Sequence, residues 1–116
     1  MSTRSSGVSH WRWQRRSAVL LAPLTIWFVI SLLLLPDLDY ATLRQWIAHP
    51  GHALAVGGLV CAASLHACLG LEVIVEDYVQ GLSLRTLTLR VIRGGYLLLV
   101  VAGCMAVLSI ALGSVT

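Results

Sequence analysis

Charge is scarce in this sequence, lysine is absent, and cysteine is rare. Eight arginines and five acids make up the whole charged complement of 116 residues, 11% of the chain. Soluble domains usually carry about 25% charged residues, so a water-soluble globule is disfavoured. Disorder is excluded as well, because it requires low hydrophobicity and high charge. The formal net charge of +3 is small and dispersed, which excludes a nucleic-acid-binding footprint. Three cysteines, Cys61, Cys68 and Cys104, lie inside apolar runs with no C-x-x-C pair. That pattern argues against a disulfide framework or a zinc site and reads as small buried hydrophobes. Internal repeats and low-complexity tracts are also absent.

What is present is apolar: 58% hydrophobic residues and a mean hydropathy of +0.86. One membrane domain over residues 1–116 follows from length and composition. Residues 17–35 form a 19-residue stretch without charge, close to the roughly 20 residues a helix needs to cross the bilayer core. Two further spans are expected over 53–75 and 91–112. Residues 36–52 and 76–90 read as connecting segments, the first broken by Pro36, Pro50 and Gly51, the second by Gly81. A cleaved signal peptide is set aside, because the first run exceeds a typical h-region and no small-x-small site follows. An organellar transit peptide is set aside because the Arg- and Ser-rich start is short.

Seven arginines (Arg4, Arg12, Arg15, Arg16, Arg85, Arg90, Arg93) fall on one side of such a topology and Arg44 on the other. The positive-inside rule therefore puts the N-terminus and the second connection in the cytoplasm and the C-terminus outside. Trp11 and Trp13 suit the inner aromatic belt, and Tyr40 and Trp46 the outer one. Trp27 is mid-span and reads as packing between helices.

His66 is the one imidazole at membrane depth. It can be packing glue bonded to a neighbouring helix or an axial haem ligand. Gly58, Ala62, Ala63, Ala67 and Gly70 keep its helix slim, which suits close helix packing or a flat macrocycle. Eleven residues on stand Asp77 and Tyr78. Eleven helical steps make three turns plus about 20°, so Asp77 shares the His66 face about 16 Å away. The pair is an interfacial anchor, or a hydrogen-bonding and proton-transfer site for a quinone. Glu72 lies about one turn inside the interface, where it can snorkel or pair with an arginine of another chain. His10 and Arg16 precede the first span on the same side. His49 and His52 form an H-x-x-H too poor in further ligands for a metal, and read as turn and cap residues.

The stretch His66-Ala-Cys-Leu-Gly70 followed by Glu76-Asp77-Tyr78-Val79, with His10 and Gln14-Arg15-Arg16 ahead of the first span, resembles the small hydrophobic membrane anchors of succinate dehydrogenase, respiratory complex II. The likeness covers nearly the whole chain. It implies a three-helix transmembrane anchor packing with a second, partner membrane-anchor subunit. A haem b would be shared between the two, and flavoprotein (FAD) and iron–sulfur subunits would dock on the cytoplasmic face. It further implies His66 as haem ligand, Tyr78 as donor to a ubiquinone carbonyl with Asp77 ordering the site, and His10 and Arg16 near the haem propionates. Cys68 and Glu72 depart from the family's pattern, standing where a bulky or basic residue and a glutamine are expected. A haem with two imidazole ligands needs a second histidine at membrane depth. This chain has none, so a second copy or another subunit must supply it. The expected location is a bacterial inner membrane in preference to a mitochondrial one. Two alternatives stay open: the anchor of a fumarate reductase, and a haem-free transporter or structural protein using Glu72 or His66.

Overall fold

The computed structural model describes residues 2–113, with side chains from residue 7 onward; Met1, the last three residues and the Arg4 side chain lie outside the described part. Four helices follow in order: α1 (Ser2–Leu33), α2 (Tyr40–Ala48), α3 (Pro50–Tyr78) and α4 (Leu82–Ala111). No strand occurs among the described residues. Three segments are long and apolar enough to cross a membrane: Gly7–Leu33, Pro50–Tyr78 and Leu82–Ala111. The chain is an all-α, multi-pass membrane protein.

The helices overrun the charge-free spans. At 1.5 Å per residue, the 29 residues of α3 reach about 44 Å, beyond the roughly 30 Å hydrocarbon core. Hydrogen bonding continues the helix through polar turns that hydropathy excludes. Residues 76–90, expected as a connection, are accordingly helical except for 79–81. Arg85 Nε donates to the Val79 carbonyl at 2.9 Å and ties this turn together, satisfying an oxygen just past the α3 C-terminus.

The first connection also holds more structure than its breakers suggest. Asp39 is the N-cap of α2, its carboxylate accepting from the Thr42 amide at 2.8 Å. Pro50 opens α3, where its missing N–H costs nothing. His49 closes α2 and caps α3, its Nδ1 accepting from the Gly51 amide at 3.2 Å. Gly51 is thus part of the first turn of α3. The cap role expected of His49 is present. Trp27 packs as anticipated, stacked on Trp46 at 5.6 Å between ring centroids. Trp46 stacks in turn on His52 at 4.6 Å, and His52 Nδ1 donates to the Trp46 carbonyl at 2.8 Å.

Helix α3 is central, with α1 and α4 antiparallel on either side and no backbone contact between α1 and α4 among the described residues. Small residues set the α3 approaches. A Cβ on Gly58 would meet Leu24 Cδ1 at 3.9 Å, and one on Gly70 would meet Gln14 Nε2 at 3.8 Å. Gly103 of α4 faces Val60, with no room for a Cβ. Ala62 is buried, whereas Ala63 and Ala67 turn outward. No residue of α4 is buried. So thin a layer leaves most apolar side chains facing out, which a bilayer or a partner tolerates and water does not.

Candidate functional site

The N-terminal part of α1, the C-terminal part of α3 and the start of α4 lie at one end of the layer. There α1 presents His10, Gln14 and Ser17 at i, i+4 and i+7, one face of a helix. Opposite them on α3 stand Glu72, Gly70 and His66.

Ser17 is only 4% exposed. Its hydroxyl donates to the Gln14 carbonyl at 2.9 Å, a local back-bond common for helical serine. The same oxygen lies 3.0 Å from His66 Nδ1. His66 is half-buried, and no group among the described residues bonds its Nε2. One ring nitrogen is therefore engaged within the chain and the other is free. That donor set fits one axial position of a haem.

Glu72 is 6% exposed and links all three long helices. Its Oε1 accepts from Arg93 Nε of α4 at 2.7 Å, and Cys68 Sγ lies 3.9 Å from the same oxygen. Its Oε2 is 3.3 Å from His10 Nε2 of α1. The histidine contact is close in distance but not aligned as a hydrogen bond, since Nε2 is buried without a bonded partner. Of the two expectations for Glu72, snorkelling is overturned by its burial, and the arginine it pairs with is not from another chain. The antiparallel α3–α4 packing delivers Arg93 of its own chain.

Asp77 and Tyr78 end α3 in the register that helical periodicity gives them. The helix continues unbroken from His66, so the pair stands about 16 Å along it. Both are exposed, Tyr78 at 81%. His10 and Arg16 are not brought together, because six helical steps turn them about 120° apart. Arg16 instead lies over the Trp13 ring at 5.6 Å, and Arg15 over Trp11 at 5.4 Å. His49 and His52 sit at the opposite end of the layer.

Sequence reasoning missed Ser17 and the Arg93 pairing. The signal for the first was available: a polar i, i+4, i+7 stripe on α1 running into an apolar span.

Fold and site together define a multi-pass helical membrane protein that gathers an imidazole, an ion pair with a buried carboxylate and an acid–phenol pair toward one face of the bilayer. The chain belongs to the succinate dehydrogenase/fumarate reductase transmembrane subunit family, whose model matches residues 1–112. It is similar to the succinate dehydrogenase hydrophobic membrane anchor subunit of Rickettsia felis, 29% identical over 93 residues, covering 80% of this chain and 78% of the relative. The protein of the same name from Rickettsia bellii is 28% identical over 102 residues, covering 88% and 82%. That from Rickettsia conorii is 28% identical over 89 residues, covering 76% and 71%. The expected kinship with the membrane anchors of succinate dehydrogenase holds at the level of the family.

Proposed function

We propose that the chain is the hydrophobic anchor of a succinate dehydrogenase in a bacterial inner membrane, with its N-terminus and the 79–81 turn in the cytoplasm. The observation that carries this reading is one uninterrupted helix, in a chain of this family, bearing His66 at depth and Asp77–Tyr78 about three turns on. Seven arginines against one give the orientation by the positive-inside rule. On the cytoplasmic side the anchor docks the iron–sulfur and flavoprotein subunits, which hold the FAD, the clusters and the succinate chemistry.

A bound haem b supplies a one-electron site within the membrane. His66 would hold it through Nε2, and a second membrane-anchor subunit, packed on the outward small-residue face around Ala63 and Ala67, would supply the further imidazole. His10 and Arg16, on different faces of the N-terminal part of α1, would be the residues nearest the haem propionates at the cytoplasmic end. Tyr78 donates a hydrogen bond to a ubiquinone carbonyl at the membrane edge, and Asp77 orders the phenol. A preorganised donor at that point stabilises negative charge as it develops on the quinone oxygen, and the cytoplasmic edge provides the protons.

A reduced-minus-oxidised spectrum of the purified membrane complex tests the haem assignment. Wild type, His49→Leu and His52→Leu are expected to show b-type bands, and His66→Leu to lack them. Bands unchanged in an assembled His66→Leu complex would reduce His66 to packing. Copurification of a flavoprotein tests the dehydrogenase assignment, and a preference for succinate oxidation over fumarate reduction separates it from the fumarate reductase alternative.

A further inference from the structure

We infer that Ser17 is a positioning residue that fixes the tautomer of His66, holding the proton on Nδ1 so that Nε2 presents its lone pair. The purpose of this device rests on the haem reading above; its geometry does not.

A serine hydroxyl carries one hydrogen and two acceptor lone pairs. Ser17 Oγ has two polar neighbours, the Gln14 carbonyl at 2.9 Å and His66 Nδ1 at 3.0 Å. The carbonyl can only accept. If Ser17 gave its hydrogen to Nδ1, two oxygens would face each other at 2.9 Å with no proton between them. At 4% exposure there is no solvent to relieve that contact. One arrangement alone puts a proton in both short contacts: Ser17 donates to Gln14, and Nδ1–H donates to Ser17. Neutral imidazole then has no hydrogen at Nε2.

The helices enforce the arrangement. Ser17 and Gln14 are one turn apart on α1, so the back-bond aims the hydroxyl hydrogen along its own helix and turns a lone pair toward α3. Gly70, one turn beyond His66, lets α1 lie close at this level. The interhelical histidine bond and the ligand role thus use different nitrogens. The first prepares the second, as outer hydrogen bonds do for metal-bound histidines generally.

The tautomer is read without haem. The full chain is prepared with its partner subunits from haem-deficient cells, labelled with 15N-histidine, and the His66 resonances are identified by their loss in His66→Leu. Solid-state 15N spectra are expected to show a protonated Nδ1 and a bare Nε2 in wild type and Ser17→Thr, and both tautomers in Ser17→Ala. A protonated Nε2 in wild type overturns the inference whether or not any variant assembles. In the haem-loaded complex, Nδ1–H donation makes the ring a stronger donor to ferric iron. Ser17→Ala is therefore expected to raise the haem midpoint potential, by about 59 mV for each tenfold loss of ferric-over-ferrous preference. Ser17→Thr is expected to restore it. Equal potentials in wild type and Ser17→Ala overturn the inference while leaving His66 as ligand. A wild-type complex without b-type bands instead overturns the haem reading, and the tautomer spectra still report on Ser17.

Discussion

Glu72 and Arg93 form an unequal pair. The Arg93 Nε lies 2.7 Å from Glu72 Oε1, yet the carboxylate side chain is 8% exposed and the guanidinium side chain 64%. Removing either partner leaves a different problem behind. Arg93→Leu strands a buried carboxylate with the misaligned His10 and the weak thiol donor of Cys68. Glu72→Gln leaves an arginine already largely outside the packed layer, free to find phosphate or water. Breaking a buried pair costs about 3–5 kcal/mol, an upper bound here because the arginine end is exposed and screened. Thermal unfolding of the purified complex should place Arg93→Leu clearly below Glu72→Gln, with the latter near wild type. The reverse order would mean that the Glu72 carboxylate serves something other than this pair.

Gly103 and Val60 hold α4 against α3. A Cβ built on Gly103 falls 2.6 Å from Val60 Cγ1, and a β-branched valine has little rotamer freedom with which to retreat. Gly103→Ala is expected to destabilise by about 1–3 kcal/mol, the usual cost of overpacking. Val60→Ala should recover much of that loss when combined with it. Additive losses in the double variant, measured as unfolding in detergent, would show that the two sites do not press on each other.

Outside the membrane, the cap of α2 depends on charge. Accepting hydrogen bonds from Thr42 holds the Asp39 carboxyl below its ordinary value, about 3.9 in an unfolded chain. A depressed carboxyl contributes stability that is complete above the unfolded value and lost as pH falls through the lower, folded one. The Thr42 amide should therefore exchange with solvent faster in wild type than in Asp39→Asn as pH drops below about 3.9, since asparagine caps without titrating. Exchange ratios flat with pH would mean that the capping bond does not depend on the charge.

Those three relationships differ in how far the sequence alone exposes them. The spans are legible because roughly twenty uncharged residues have few other uses. The register of Asp77 beneath His66 is legible because the period of a helix is fixed. The ends of α3 and α4 are not, because the helix continues through Glu76-Asp77-Tyr78 and begins again at Leu82, where hydropathy has already fallen. The helix α2 was signalled by Asp39 ahead of Thr42, a cap spacing masked by the nearby prolines and glycine. The pairs that build the site are the least legible. Glu72 meets Arg93 across 21 residues and Ser17 meets His66 across 49. Each pair depends on the antiparallel registers of α3 with α4 and with α1, which no local pattern encodes.

The quinone assignment is the most exposed, because an 81%-exposed tyrosine at a helix end also suits a plain membrane-interface anchor. The two roles differ in what the phenol oxygen does. An anchor uses the ring and tolerates loss of the hydroxyl. A quinone donor uses the O–H, whose hydrogen bond strengthens as charge builds on the carbonyl oxygen. Tyr78→Phe keeps the ring and nearly all its volume, so assembly and the haem spectrum should be unchanged. Losing one preorganised donor costs about 2.7–4 kcal/mol in the transition state, so ubiquinone reduction should fall by roughly 100-fold or more. Succinate oxidation with a soluble acceptor drawing electrons upstream should stay near wild type. Asp77→Asn should lower ubiquinone reduction less, if its role is to order its neighbours and not to touch the quinone. Equal quinone turnover in wild type and an assembled Tyr78→Phe complex would leave Tyr78 as an anchor and move the donor to another chain of the complex.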